Sequence, residues 1–282
     1  MHDAGVLYVV PTPIGNMEDI TLRALRVLAE VTLIAAEDTR SARHLLEHHR
    51  IRAPKLVSYF EGNEAARTDD LVARVRGGEH VALVSEAGMP GVSDPGARVI
   101  AAMRLAGQRV EVLPGASAAI TALVGSGLPT ERFLFIGFPS RQQGERQQTF
   151  GALRTDRATL ILYEAPSRVG TTLADLAAAL GGTRRAEVAR ELSKMFEERV
   201  AGTLEELATR YAETPPRGEC VLVVAGASGD EDETPLDLEA EIKSRLARGE
   251  RPKEIAAALA LLTGKKRREL YQLAVALDGS AI

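Results

Sequence analysis

Short runs of Val, Ile, Leu and Ala recur at residues 6–10, 31–36, 55–59, 81–84 and 110–113, separated by stretches whose apolar residues fall at helical spacing. Strands alternating with helices fold as βαβ units around a mostly parallel sheet. Behind the first run, Leu22, Leu25 and Leu28 make one helical stripe, with Asp19 or Thr21 as N-cap, and this stripe should pack on the sheet. A second series starts at Phe133, with strands expected at 133–137, 159–163, 187–190, 198–201 and 220–225 and helices at 165–180 and 204–211. Its later strands follow one another closely, as in ELSKMFEERVAGT, which predicts hairpins and a mixed sheet. The expected fold class is α/β, with domains at residues 1–116 and 117–228. Acidic, turn-rich GASGDEDETP at 226–235 reads as a linker. Short helical stretches and charged turns follow, so residues 229–282 are expected to be a linker and a small C-terminal helical extension.

Composition narrows the classes. The chain has 282 residues, 45% hydrophobic and 26% charged, as a folded water-soluble protein should. Its formal charge of −4 disfavours indiscriminate nucleic-acid binding, so a nucleic-acid partner would need local basic patches. Cys220 is the single cysteine, which excludes an intrachain disulfide and a cysteine zinc cluster and fits a reducing cytosol; it reads as a small buried apolar residue. His44 and His48 stand four apart on a helix with no third ligand or HExxH pattern, so no metal is expected. No stretch approaches the ~18 apolar residues of a membrane span and no leader pattern is seen, so the protein is expected in the cytoplasm, away from membranes.

Three glycine- and proline-rich loops follow strands of the first series: PTPIGN at 11–16, SEAGMPGVSDPG at 85–96 and PGASA at 114–118. Small residues there let backbone groups approach a ligand, at the strand ends where open α/β sheets bind ligands. No GxxxxGK is present, and the one GxG, Gly125 to Gly127, follows a helical segment, so triphosphate and dinucleotide cradles are excluded. Between Ser85 and Gly96 the charged side chains are Glu86 and Asp94, which suits a neutral or cationic ligand, such as a nucleoside carrying a sulfonium.

Taken together, VVPTPIGNMEDITLRALRVL, AAEDTR, SEAGMPGVSDPG, LPGASAAITAL and ARELSKMFEE closely resemble the bacterial small-subunit (16S) ribosomal RNA cytidine 2′-O-methyltransferases, a branch of the tetrapyrrole methylase superfamily. The resemblance implies a two-domain tetrapyrrole-methylase-like fold, S-adenosylmethionine in the cleft between the domains, and a homodimer. By position it implies cofactor contacts at Ile14 and Gly15, at Ser85, Glu86, Ala87, Gly88 and Met89, at Ser117 and Ala118, and at Glu164 and Val221. Ala165 and Ser167 stand where the family usually has serine and histidine, which argues against a mechanism resting on a histidine base.

Methyl transfer to a ribose hydroxyl needs alignment and either a base or a positive group beside the developing alkoxide. Lys194 is the candidate for the positive group, with Glu191 or Glu64 as base. Arg40, Arg141, Arg146, Arg168, Lys265, Lys266, Arg267 and Arg268 are candidate contacts to the phosphates of small-subunit ribosomal RNA. With 4% aromatic residues and no Trp, recognition of folded RNA shape is expected over stacking on single strands. The alternatives are methylation of a precorrin-type tetrapyrrole and a non-catalytic RNA-binding assembly factor.

Overall fold

Strands β1 (Val6–Val9), β2 (Leu33–Ala36), β3 (Lys55–Ser58), β4 (Val81–Val84) and β5 (Arg109–Val112) form a sheet in the order β3-β2-β4-β1-β5. Every pair in it is parallel. The computed structural model describes residues 5–228, 238–248, 250–263 and 267–278. Helices cover both faces of this sheet, so LIAA of β2 and VALV of β4 are buried at every position and read as unbroken apolar runs. Alternate residues still divide between the faces: Ile34, Ala82 and Val84 pack with Leu28 and Leu45, whereas Leu33, Val81 and Leu83 pack with Leu71 and Met103. Of the two candidate caps, Thr21 is the one used, its side chain accepting from Ala24 N at 3.0 Å at the start of helix Leu22–Glu30.

The second sheet joins β6 (Phe133–Gly137), β7 (Thr159–Glu164), β8 (Arg185–Arg190), β9 (Glu198–Thr203) and β10 (Cys220–Val224) in the order β6-β7-β10-β8-β9. Only β6 and β7 run parallel; β8 and β9 form the expected hairpin. Helices Gln143–Ala152, Val169–Leu180 and Leu204–Glu213 contribute to the core cluster on one face. The other face receives helix Ala118–Gly125, through Ala119, Ala122 and Leu123, together with Ile14 from the loop after β1. The strands of the first sheet all precede residue 117 and those of the second all follow it, yet by contact residues 1–226 form one compact unit and 227–282 another.

One segment corrects the sequence reading. SRQQGERQQ, expected to turn its arginines to RNA, contains most of helix Gln143–Ala152, which buries Arg146 and Phe150. The Arg146 guanidinium pairs with Asp175 of the neighbouring helix, with side chains only 4% and 5% exposed, so it is not available to phosphate.

The second unit has helices Leu238–Ala247, Pro252–Thr263 and Arg267–Leu277 around Ile242, Ile255, Leu259 and Leu270. Lys265, Lys266 and most of the acidic linker stretch lie outside the described residues.

Candidate active site

Strand order gathers the glycine loops. Because β4, β1 and β5 are parallel neighbours, the loops after them leave the same edge of the sheet side by side. Thr12 and Gly88 exchange backbone hydrogen bonds of 2.9 and 3.0 Å, tying the first loop to the second. The Thr12 hydroxyl donates to Ser85 O at 3.3 Å and the Ser85 hydroxyl to Gly88 O at 3.2 Å. Gly88 sits at φ +80°, a conformation that costs a residue with a Cβ about 1–2 kcal/mol.

The second sheet meets these loops with strand ends of opposite sense. Since β10 is antiparallel to β7 and β8, its first residue Cys220 stands opposite Glu164 and Arg190. Glu164 at the end of β7, Glu191 just after β8 and Glu219 just before β10 therefore converge. The turn after β8 is strained, with Glu191 at φ +52° and Ser193 at φ +63°. It is held by Lys194 N donating to Glu191 O at 3.0 Å and Ser193 N donating to the Glu197 carboxylate at 2.8 Å. Gly15 presses against it so closely that a Cβ there would lie 2.7 Å from Leu192 O. This clasp joins the two sheets.

Between them lies a cavity of about 500 Å³, a size suited to a cofactor. Of the residues expected at the cofactor, Ile14, Ala87, Gly88, Met89, Ser117, Ala118, Glu164 and Val221 line it. Gly15, Ser85 and Glu86 instead line an adjoining cavity of about 670 Å³. Lys194 stands in both walls and Glu191 in the first. Glu64 lines neither; its carboxylate accepts from Gly96 N at 2.9 Å and braces the end of the second loop, so it is not placed to act as a base.

The first cavity is acidic. Among the described residues, Asp94, Glu164, Glu191 and Glu219 line it against one cation, Lys194. The Lys194 ammonium donates to Glu191 and Glu219, each at 3.0 Å. Burial opposes its charge, but these two carboxylates prevail and raise its pKa, so it remains a cation. Its bond to Lys194 is the main reason that the Glu191 carboxyl is held below the usual range, which makes Glu191 a poor base and a good anchor. Glu164 accepts from the Thr172 hydroxyl at 2.5 Å and from Ala165 N at 2.9 Å. Burial, then the nearby Glu37 carboxylate, push Asp94 up to about 7. Cys220 is buried in the cavity wall and its thiol is pushed up to about 11, chiefly by burial, so it acts as packing.

The Asp94 shift has a stability consequence. Its folded pKa lies above the unfolded value of about 3.9, so the folded state holds the extra proton and stability falls as pH rises from about 4 to 7. Asp94→Asn removes that cost. The variant is expected to melt higher than the parent, with a larger gain at pH 8 than at pH 5; equal gains at the two pH values in thermal unfolding would refute this.

The arginines divide. Arg40 is exposed at the second cavity, held by Asp38 through bonds of 2.7 and 3.2 Å. Arg141, Arg267 and Arg268 are exposed. Arg168 turns inward to Pro139 O and Ser140 O, both at 3.0 Å, and pairs with Glu164, so it braces the cavity wall instead of facing RNA. His44 and His48 are both exposed. Sequence reasoning missed Glu219, Tyr163 and Phe138 as lining residues and read Asp94 only as part of the negative charge of the second loop. The charge pattern of SDPG signalled Asp94; nothing local signalled Glu219, whose position depends on the direction of β10. Tyr163 anchors helix Ala118–Gly125, its hydroxyl accepting from Ala119 N at 3.2 Å.

Residues 6–208 match the family described as Tetrapyrrole (Corrin/Porphyrin) Methylases. The ribosomal RNA small subunit methyltransferase I of Synechocystis sp. is 44% identical over 276 residues, 97% of this chain and 99% of the relative. Its namesake from Pseudomonas aeruginosa is 44% identical over 281 residues, 99% of each. Among solved structures, uroporphyrin-III-C-methyltransferase from Thermus thermophilus aligns with TM-score 0.56 and 27% identity over 78% of this chain and 94% of that one. Cobalt precorrin-4 methyltransferase, at TM-score 0.59 and 15% identity over 78% and 94%, shares the fold. With the matched segment running from β1 through β9 and relatives aligned almost end to end, the chain belongs to the tetrapyrrole methylase family, in the branch of the ribosomal RNA small subunit methyltransferase I proteins.

Proposed function

We propose that this protein transfers the methyl group of S-adenosylmethionine to the ribose 2′-hydroxyl of a cytidine in 16S ribosomal RNA of the small subunit. The observation that carries the reading is a cofactor-sized acidic cavity, built by the three glycine loops and the turn after β8, in a chain whose full-length relatives are named small-subunit ribosomal RNA methyltransferases. The residues fit the cofactor. Ala87, Gly88, Ser117 and Ala118 offer close backbone approach, Ile14 and Val221 offer apolar contact, and the carboxylates of Asp94, Glu191 and Glu219 favour a sulfonium over a phosphate. When bound, the cofactor supplies an electrophilic methyl group on positively charged sulfur.

The chain's own contribution is alignment and charge. Lys194, fixed by Glu191 and Glu219 in the wall common to both cavities, presents its ammonium where an acceptor oxygen would develop negative charge. Holding both reactants in the clasped cleft removes the cost of encounter and orientation, which supplies up to about 7–11 kcal/mol in well-aligned reactions. Arg40, Arg141 and the exposed Arg267 and Arg268 meet RNA phosphates. On this reading the protein works in the cytoplasm as a homodimer. Separately, among the described residues no helix is long and apolar enough to cross a membrane. Ile120 and Val124, one turn apart on helix Ala118–Gly125, leave an exposed apolar stripe at 45% and 67% that supports pairing.

Labelled methyl donor incubated with unmethylated small ribosomal subunits should give 2′-O-methylcytidine after RNA digestion, and none should pass to a uroporphyrinogen-type acceptor. Transfer to the tetrapyrrole alone would replace this reading with ring methylation. Donor binding without transfer to either would favour an assembly factor.

A further inference from the structure

We infer that the second cavity is the acceptor subsite, seating the target ribonucleotide with its phosphate against Arg40 and His44 and its 2′-hydroxyl toward Lys194. This rests on the methyl-transfer reading above and names where that reading's RNA enters. The two cavities share four wall residues, Ile14, Ala87, Lys194 and Glu219. Occupants of the two would meet at this wall, as a direct transfer between donor and acceptor requires. At about 670 Å³ the second cavity has room for a nucleotide.

Charge separates their occupants. The first cavity has four acidic residues in its described lining, of which Glu164 is paired with Arg168, against the single lining cation Lys194, and so disfavours a phosphate. The second adds Arg40 to Lys194, with the His44 imidazole as a hydrogen-bonding group, and two of its three carboxylates are already engaged. Asp38 is bound by Arg40, which holds its carboxyl down at about 2, and it also caps helix Thr39–His48 by accepting from Arg40 N at 2.7 Å. Glu219 accepts from Lys194. Glu86 is the remaining carboxylate, on the exposed rim. The Arg40 guanidinium projects into solvent with its side chain 91% exposed, so it is open to a polyanion too large to enter the cleft whole.

Two variants test this with different readouts. Arg40→Gln should weaken binding of product-saturated protein to unmethylated small subunits by about 5–100-fold and lower the salt slope by roughly one. Ser41→Trp places bulk in the second cavity from the helix that lines it. It should cut methyl transfer at least ~100-fold while calorimetry shows donor affinity within about threefold of the parent. Parent-like transfer by Ser41→Trp, or unaltered subunit binding by Arg40→Gln, overturns the inference alone. Failure of the parent protein itself to methylate subunits overturns the functional reading and this inference together.

Discussion

Lys194→Met is expected to lower the rate of methyl transfer by about 10²–10³-fold, the loss typical when one preorganised group is removed from a developing oxyanion, with donor affinity changed by no more than a few-fold. The argument is positional. Among the described residues, Lys194 is the one cation in the wall of the first cavity, and it is also part of the second. Two carboxylates hold it at 3.0 Å each and keep it charged, so it cannot serve as a base at neutral pH. What it offers is a fixed positive charge, needing no reorganisation as the 2′-oxygen takes the methyl group, the sulfur keeps the electron pair of the broken bond and the hydroxyl proton leaves to solvent water. Glu191 and Glu219 are then positioning residues, acting through the ammonium they orient. Lys194→Arg keeps the charge and should retain part of the rate. A single-turnover assay with labelled donor, alongside calorimetry, separates the chemical step from binding. A Met variant that turns over like the parent would remove Lys194 from the mechanism.

Asp175→Ala should destabilise the protein by about 3–5 kcal/mol, because it strands the buried Arg146 guanidinium without a counter-charge. Four residues share this site: Gln143 and Gln147 donate to the Asp175 carboxylate at 3.1 and 2.9 Å, and Arg146 bonds it through Nε at 2.8 Å. Burial works against the Asp175 charge, but these bonds outweigh it and hold the carboxyl below its usual range. At about 2–4 °C per kcal/mol for a unit of this size, the melting temperature should fall by roughly 6–20 °C. The paired replacement Arg146→Met with Asp175→Leu leaves no buried charge and should lie much nearer the parent. Equal melting of Asp175→Ala and parent would show that this pair does not hold the helix in place.

Much of the architecture was legible from residue order because burial writes itself into local pattern. A strand covered on both faces must be apolar throughout, so VALV and LIAA announced β4 and β2. The close spacing around ELSKMFEE announced the β8–β9 hairpin. The glycine loops were equally plain, since a chain that must turn sharply beside a ligand uses residues without a Cβ. Polar helices were harder. Helix Gln143–Ala152 is built largely from Gln, Arg, Glu and Gly, and its inward face sets beside Phe150 an arginine whose partner lies 29 positions away. A charge run gives no sign of whether its counter-ion is water or a buried carboxylate.

By itself, then, the sequence determined the α/β class, the strand ends that would face a ligand, and the poverty of positive charge there that rules out a phosphate cradle. Tertiary structure decided which ends meet. Parallel order β4-β1-β5 placed the three loops at one edge, and the antiparallel entry of β10 brought Glu219 to face Glu164 and Glu191. It also withdrew Arg146, Arg168 and Glu64 into structural bonds and split the expected cofactor residues between two adjoining cavities. The reason is physical: hydrophobic period fixes which face of an element is buried, whereas the direction and neighbours of a strand depend on contacts far apart along the chain, and so do the charges that surround any one side chain.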